Sequence, residues 1–410
     1  MISLLLLVGL GVAVFVGFNI GGSSTGVAFG PAVGSRVVSK TGAGALMAAF
    51  ALLGGWTVGR NVVATMGGQI VPSSLFTLPA SVGVLFFVGL ALLVSNLFGV
   101  PASTSMTAVG AIAGLGVAAG NIDWGVMGRI VSWWLVAPIV AFWVCAVVGR
   151  YVYPYLDVWF RIDRSEGPLF EYGRVASIPY PVPAADTSRR ELVSSVLVVV
   201  IGCYMAFSAG ASNVANAVAP LVGSDAITMN QGVFLAGGAI ALGAFTIARR
   251  TLDTVGNDLT DLPLLAALIV EVVSASLITL LSYLGIPASL AVSATMCIVG
   301  LGWGRATRTV RLSDAATAAV RGSETADTGD AADGDEDTPD AGKPKVSVNA
   351  LAAEPADEVR KIGEEDPADL QAADLFDPEA TARVVMLWIL TPSISAVASF
   401  LLFRFFPIYQ

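Results

Sequence analysis

The sequence predicts an all-α polytopic membrane protein made of two inverted repeats, each with about five transmembrane segments and with broken or re-entrant helices. Three observations support this fold class: an apolar composition, about ten long apolar runs, and a long-range internal repeat. Hydrophobic residues make up 55% of the 410 residues and charged residues 13%, with a mean hydropathy of +0.76. Because soluble domains carry about 25% charged residues, the composition indicates a membrane protein.

The apolar runs recur from the first residues to the end of the chain. A helix that crosses the hydrocarbon core needs about 20 mostly apolar residues. Such runs lie near residues 2–20, 43–66, 77–97, 103–121, 126–153, 192–209, 229–248, 262–284, 288–303 and 384–406. The first run has no basic flank and no clear cleavage site of small residues, so we expect it to be a membrane span and not a signal peptide.

Two blocks of sequence occur twice. Residues 18–67 align over 207–256 without a gap, at an offset of 189. The block GVPAS at 99–103 matches GIPAS at 285–289, at an offset of 186. Low-complexity composition explains single glycine or alanine matches, but not two motifs repeated in the same order. We interpret the chain as a duplicated unit.

A third block shows where the second copy carries an insertion. RIVSWWLVAP at 129–138 matches RVVMLWILTP at 383–392, now at an offset of 254, with arginine, tryptophan and proline in register. The offset has therefore grown by 254 − 186 = 68 residues. Between Asp314 and Glu379 we count nineteen of the thirty-one acidic residues. Low hydrophobicity with high like charge is typical of disordered segments, so we interpret this stretch as an acidic insert.

These features predict five parts of the chain. They are a first transmembrane repeat at 1–155, a central cytoplasmic loop at 156–190, the first part of the second repeat at 191–305, the acidic insert at 306–380 and a last transmembrane segment at 381–410. An odd number of crossings in each copy makes the second copy enter the membrane from the opposite side. This is the inverted-repeat design of secondary transporters.

Basic residues predict the orientation, because they concentrate in cytoplasmic loops. Those in loops follow odd-numbered segments: Arg36 and Lys40 after the first, Arg161, Arg164, Arg174, Arg189 and Arg190 in the central loop, and Arg305, Arg308 and Arg311 after the ninth. We therefore expect a multi-pass cell-membrane protein with both termini outside and the acidic insert in the cytoplasm.

Several functional classes are excluded or disfavoured by composition. The chain has no histidine, which excludes histidine relays and histidine-dependent triads. Its three cysteines lie in apolar segments and are interpreted as packing residues. No nucleophile–base pair or metal cluster is visible, so we expect no enzymatic activity, no cofactor, no metal beyond a coupling Na⁺, and no nucleic-acid partner. A homodimer is an assembly to test.

The repeated motifs are rich in glycine, proline and hydroxyl side chains. The stretch GGSSTGVAFGPAVGS at 21–35 interrupts an apolar run, and PASTS at 101–105 is typical of a helix start after proline. Broken helices in inverted-repeat transporters direct their N-terminal N–H groups at an anion. The alternative is that small residues only let helices kink and pack closely. The residues predicted to bind substrate are Ser103, Thr104, Ser105, Ser289, Ser293, Arg60 and Arg249.

These motifs resemble those of the PiT family of inorganic phosphate transporters. The family motif GANDVANAxGPxVGS is similar to GASNVANAVAPLVGS at 210–224 and, less closely, to GGSSTGVAFGPAVGS at 21–35. The family block PVSTTH is similar to PASTSM at 101–106, and TVGNDLTDL at 254–262 resembles a further family segment. The resemblance covers nearly the whole chain outside the acidic insert. It implies a permease that takes up phosphate with Na⁺ or H⁺.

The sequence departs from the family motif at its charged positions. The Asn-Asp pair is replaced by Ser23-Ser24 and Ser212-Asn213, and the two histidines by Met106 and Val292. Val27 replaces the later asparagine of the first copy, and the second Thr pair is Leu290-Ala291. Both motif carboxylates are absent, so the identity of the coupling ion stays open. The residues predicted to bind the cation are Ser23, Ser24, Thr25, Ser212, Asn213, Asn216 and Glu271.

Three alternatives remain open at this point. Glu271 lies inside an apolar segment, where an ionisable residue is a functional candidate, although it could instead pair with an arginine. Arg60 and Arg249 occupy equivalent positions and could either hold an oxyanion or extend to the interface. Phosphate uptake is the first hypothesis. The others are a sulfate or other oxyanion permease, and a non-transporting sensor or scaffold that acts through the acidic insert.

Overall fold

The computed structural model describes residues 3–97, 103–159, 170–175, 178–183, 189–246, 264–308 and 378–409. Residues 309–377, which form most of the acidic insert, lie outside the described residues, as does TVGNDLTDL at 254–262. Within the predicted central loop, the strands Phe170–Val175 (β1) and Ile178–Pro183 (β2) pair as an antiparallel hairpin.

Twelve α-helices follow one another in the described residues. They are α1 (Leu4–Gly34), α2 (Lys40–Thr57), α3 (Gly59–Gly68), α4 (Leu78–Leu97), α5 (Thr104–Ala119), α6 (Trp124–Val147), α7 (Tyr153–Trp159), α8 (Arg189–Gly223), α9 (Met229–Thr246), α10 (Leu264–Tyr283), α11 (Leu290–Ala306) and α12 (Pro378–Phe405). A 3-10 turn at Ser73–Leu75 precedes α4, and a π-helical turn at Val148–Val152 joins α6 to α7. Every predicted apolar run contains a helix.

Among the described residues, the candidate membrane spans are fewer than the apolar runs. Six helices are long and apolar enough to span a membrane, and the pair α2 and α3, bent by 58° at a short break, makes a seventh if it is counted as one span. The remaining three runs form the shorter apolar helices Leu78–Leu93, Thr104–Ala119 and Leu290–Ala306. The protein is therefore an all-helical polytopic membrane protein with six or seven candidate spans among the described residues.

The prediction that residues 21–35 break the first helix is wrong. Helix α1 continues through this stretch to Gly34 and is 31 residues long, and α8 continues through the matching stretch to Gly223. The hydroxyl groups of Ser23 and Thr25 donate to carbonyl oxygens about one turn earlier, at Asn19 and Gly21. These side chains therefore satisfy polar groups within a continuous helix.

The glycines of these stretches allow two helices from opposite copies to touch. A Cβ atom on Gly21 would lie 2.0 Å from the carbonyl oxygen of Ile240, and one on Gly210 would lie 2.0 Å from that of Ala51. The offset of 189 relates Gly21 to Gly210 and Ala51 to Ile240. The contact of α1 with α9 is therefore equivalent to the contact of α8 with α2. In the first contact the glycine belongs to the first copy, and in the second contact it belongs to the second copy.

A second pair of helix interfaces is related by the duplication in the same way. A Cβ atom on Gly114 of α5 would lie 2.4 Å from the carbonyl oxygen of Ala396 in α12, and one on Gly300 of α11 would lie 2.1 Å from that of Phe142 in α6. The offset of 186 relates Gly114 to Gly300, and 254 relates Phe142 to Ala396. The duplication read from the sequence is therefore visible in the packing, because each copy packs on the other through matching residues.

Filling one of these close contacts is expected to destabilise the protein. In α9, a Cβ atom on Gly243 would lie 2.0 Å from the backbone oxygen of Phe18, whereas one on Gly238 would meet nothing within 4 Å. Overpacking of this kind costs about 1–3 kcal/mol. We expect Gly243→Ala to lower the melting temperature in detergent and Gly238→Ala to leave it unchanged. Equal melting temperatures for the two variants would contradict this packing.

Candidate functional site

A cavity lies where α1, α4, α5, α8 and α11 meet. Its volume is about 130 Å³, many times the roughly 10–15 Å³ that one water molecule needs. The lining residues are Asn19, Ser23, Ser24, Val27, Leu92, Thr104, Asn213, Ser289, Leu290 and Ala291. Ser23 and Val27 are exposed, whereas Asn213 and Ser289 are buried. The cavity therefore opens along α1 and is closed towards α8 and α11.

Two helices begin at this cavity. Ser103 and Ser289 are the N-cap residues of α5 and α11, and their hydroxyl oxygens accept hydrogen bonds of 3.3 Å from the backbone N–H groups of Met106 and Val292. The first N–H groups of a helix have no intrahelical acceptor and carry partial positive charge. Such groups at Leu290 and Ala291, which line the cavity, can bind an anion.

A hydrogen-bonded group of five residues, which we call the closed cluster, forms the inner wall. Its members are Thr104, Ser105, Ser212, Asn213 and Asn216. The Thr104 hydroxyl donates to Asn213 Oδ1 at 3.2 Å, and Asn216 Nδ2 donates to the same oxygen at 3.0 Å. Asn216 Nδ2 also donates to Ser105 Oγ at 3.1 Å, and Ser105 Oγ lies 3.3 Å from Ser212 Oγ. These contacts connect α5 to α8.

One atom of the closed cluster lacks a partner. Asn216 is 1% exposed, and its Oδ1 has no hydrogen-bond partner among the described residues. A buried acceptor without a partner is unusual in folded proteins. A neutral amide oxygen in this position is a suitable ligand for a hard cation.

The side of the cavity formed by α1 and α11 and the closed cluster are built from equivalent positions, while Thr104 and Asn213 of the cluster also line the cavity. The offset of 189 relates Ser212, Asn213 and Asn216 to Ser23, Ser24 and Val27, and the offset of 186 relates Thr104 and Ser105 to Leu290 and Ala291. In the cavity, the side chains of Val27, Leu290 and Ala291 cannot form the bonds that join the closed cluster. Val27 is 39% exposed, while its equivalent Asn216 is buried. The two equivalent regions therefore differ: one is open and the other is closed.

The structure brings together many of the residues predicted from the sequence. Ser23, Ser24, Thr104, Asn213 and Ser289 line the cavity. Ser105, Ser212 and Asn216 belong to the closed cluster, Ser103 caps α5, and Ser293 is buried one turn into α11. Thr25 is buried in α1 and donates to the carbonyl oxygen of Gly21. Predicted anion and cation residues thus share one region.

The two arginines predicted to bind substrate differ in what the structure shows of them. Arg60 is absent from its described lining; its guanidinium carbon lies 4.8 Å from the centre of the Trp56 ring, and its Nη2 donates to Asn230 Oδ1. Arg60 thus contacts Trp56 of α2 and Asn230 of α9, and these contacts leave both alternatives for this residue open. Arg249 lies outside the described residues.

Glu271 lies in α10, away from the described cavity lining. It is 4% exposed, and its Oε1 has no hydrogen-bond partner among the described residues. The offset of 186 aligns α4 with α10 end to end and places Leu85 at the equivalent position in the first copy. Leu85 is fully buried. Only one of two equivalent interior positions therefore carries an ionisable group.

Asn19 is a cavity residue that the sequence reasoning missed. It is buried, lines the cavity one turn before Ser23, and its Nδ2 donates to the carbonyl oxygen of Phe15 at 2.8 Å. An amide side chain within an apolar run was the signal available in the sequence. Leu92, which completes the apolar side of the cavity, has no such signal because it resembles its lipid-facing neighbours.

Comparison with known proteins decides the family. Residues 20–322 match the Phosphate transporter family. The chain belongs to this family. Among similar proteins, the sulfate permease CysP of Bacillus subtilis is 29% identical over 291 residues, which cover 71% of this chain and 75% of the permease. A putative phosphate permease of Chlamydia pneumoniae is 24% identical over 381 residues, covering 73% of this chain and 89% of that protein.

A solved structure has the same fold as this family member. The structure is that of a sodium-dependent phosphate transporter, which aligns over 100% of both chains with a TM-score of 0.62 and 17% sequence identity. At this identity the likeness concerns the fold alone. It agrees with the all-helical membrane architecture described above. Together the comparisons identify an anion transporter of this family and not an enzyme.

Proposed function

We propose that this protein is a secondary transporter that takes up an inorganic oxyanion, phosphate or sulfate, together with a cation. The observation that carries the proposal is the cavity lined by Leu290 and Ala291, the first two residues of α11, and by neutral polar side chains of α1 and α8. Phosphate and sulfate both suit helix N-termini. Similar proteins named as sulfate and phosphate permeases support the same substrate class.

A cation must accompany the anion if uptake is inward. Moving a divalent anion into a cell against about 100 mV costs roughly 2 × 2.3 kcal/mol. The described residues contain no group of three or more Cys, Asp or Glu side chains that could hold a metal ion. We propose that neutral oxygens bind the cation, above all the unpartnered Oδ1 of Asn216 and the hydroxyl groups of Ser23 and Ser24. Proton coupling would use Glu271.

We further propose that the two copies are inverted repeats that exchange conformations during transport. Two observations support this proposal. Equivalent glycines of the two copies make equivalent helix contacts, and equivalent positions of α1 and α8 differ in exposure. In transporters of this design, one repeat rocks against the other around a fixed site. The opposite-facing state would then open the closed cluster and close the cavity along α1. We propose both termini outside and the acidic insert in the cytoplasm, following the positive-inside rule.

Cysteine labelling can detect this exchange. Ser23 is exposed and its equivalent Ser212 is fully buried, so in a cysteine-free background we expect Ser23→Cys to react with a water-soluble thiol reagent and Ser212→Cys to be protected. Reversing the substrate and cation gradients should raise labelling at position 212 while it lowers labelling at position 23. If both positions change in the same direction, the two regions do not alternate.

Uptake by the purified protein tests the proposed function. Labelled phosphate and labelled sulfate are offered to proteoliposomes with and without an inward Na⁺ or H⁺ gradient. We expect uptake of at least one anion, increased by one of the gradients. If neither anion enters under any gradient, the non-transporting sensor or scaffold becomes the better account of this chain.

A further inference from the structure

The described lining of the cavity contains no charged side chain. Its polar side chains are amides and hydroxyls, namely Asn19, Ser23, Ser24, Thr104, Asn213 and Ser289. Ser24 and Asn213 stand at the two positions where the motif GANDVANAxGPxVGS has aspartate. An anion held here is therefore close to two side chains that neither repel it nor accept hydrogen bonds as strongly as carboxylates do.

Two side chains of the cavity wall keep hydrogens that no described hydrogen bond uses, whereas the hydroxyl groups of Ser23 and Thr104 already donate to oxygens of Asn19 and Asn213. Asn213 Oδ1 already accepts from Thr104 and Asn216, so its Nδ2 is the group left for an anion. Ser289 Oγ accepts from the N–H of Val292, which leaves the Ser289 hydroxyl hydrogen free to donate. The amides of Leu290 and Ala291 are donors by nature. The site thus offers donors from α8 and α11.

A site whose described lining has no carboxylate distinguishes two oxyanions of the same shape. Sulfate at neutral pH has four unprotonated oxygens, each of which accepts hydrogen bonds. Phosphate at neutral pH keeps at least one O–H group, which needs an acceptor. A buried donor without an acceptor is unfavourable, whereas a carboxylate in the wall would accept that O–H and would repel sulfate by like charge.

We infer that the cavity selects oxyanions that carry no proton, sulfate in preference to phosphate, and that the neutral side chains of Ser24 and Asn213 set this selection. The inference rests on the proposed function, because it concerns the anion that the same cavity binds. It specifies the substrate class more narrowly than membership of the family does. The two residues come from α1 and α8, so each copy contributes one determinant.

Competition between shape-matched anions tests the inference. Uptake of labelled sulfate into proteoliposomes is measured in the presence of unlabelled sulfate, selenate, phosphate or arsenate at neutral pH. We expect sulfate and selenate to compete at concentrations about tenfold or more below those of phosphate and arsenate, since one unsatisfied hydrogen bond has an effect of this size. Competition by phosphate or arsenate at equal or lower concentration would overturn the inference and leave the proposed function standing.

Two isosteric variants locate the determinant. Ser24→Asp introduces a carboxylate, and Ser24→Asn introduces an uncharged amide of nearly the same shape, which is the residue found at the equivalent position 213. We expect Ser24→Asp to shift the ratio of sulfate to phosphate uptake at least about tenfold towards phosphate, and Ser24→Asn to keep the ratio of the unmodified protein. Equal ratios in both variants would overturn the role of Ser24. Absence of uptake of all four anions by the unmodified protein would overturn the proposed function itself.

Discussion

Replacing Asn213 with leucine is expected to abolish anion uptake. Leucine has a similar size, but it removes the amide that lines the cavity and the oxygen that accepts hydrogen bonds from Thr104 and Asn216. Each buried donor left without a partner costs about 1–3 kcal/mol. Initial uptake rates of labelled sulfate and phosphate should therefore fall by roughly a hundredfold or more.

A matched control separates this effect from a loss of stability. Ser399 is fully buried in α12, and its hydroxyl donates to the carbonyl oxygen of Ala111 at 2.6 Å; neither residue is among those that line the cavity. Ser399→Ala removes a buried hydrogen bond but no cavity group, so it should lower the melting temperature and leave uptake intact. Normal uptake by Asn213→Leu would show that the cavity described here is not the anion site.

If protons drive uptake, replacing Glu271 with glutamine is expected to uncouple uptake from the proton gradient. The amide keeps the shape of the side chain but can neither carry a negative charge nor transfer a proton. Ionisable residues inside a membrane are costly and mark ion or proton pathways. Gradient-driven accumulation should fall at least about tenfold, while exchange of labelled for unlabelled anion at equilibrium should continue.

A second buried glutamate provides the control for Glu271. Glu191 is 5% exposed and lies in the first turn of α8. A carboxylate in this position stabilises the N-terminus of a helix. Glu191→Gln should therefore affect stability more than coupling. Full gradient-driven accumulation by Glu271→Gln would exclude this residue from the coupling mechanism and would favour cation binding by the neutral oxygens of the closed cluster.

The sequence predicted the helices well because membrane spans have a strong compositional signal. Each apolar run contains a helix, and the offsets of the duplication recur in the glycine contacts. Continuity of α1 through Gly34 was not predicted, because glycine, serine and proline favour breaks in water. Within a bundle, the hydroxyl of Ser23 bonds within its own helix and Gly21 allows Ile240 to approach, so the same residues support a packed, unbroken helix.

The residue types that line the candidate cavity could be predicted from the sequence. Which of the equivalent positions are exposed and which are buried could not. Hydroxyl and amide residues of the repeated motifs do converge on one region, as the comparison of the two copies predicts. Which of two equivalent regions is open depends on packing between distant helices. The exposure of Val27 and the burial of Asn216 have no counterpart in the sequence pattern. Arg60, whose equivalence to Arg249 made it a candidate ligand, contacts Trp56 and Asn230 and is absent from the described lining of the cavity.

The central claim is that the cavity holds the transported oxyanion, and an experimental structure with bound selenate tests it most directly. Anomalous scattering from selenium locates the anion without ambiguity. The account predicts one site, within hydrogen-bond distance of the backbone N–H groups of Leu290 and Ala291 and of the Asn213 side chain. An anion located elsewhere in the bundle, or no anion in the cavity of a protein that transports selenate, would contradict it.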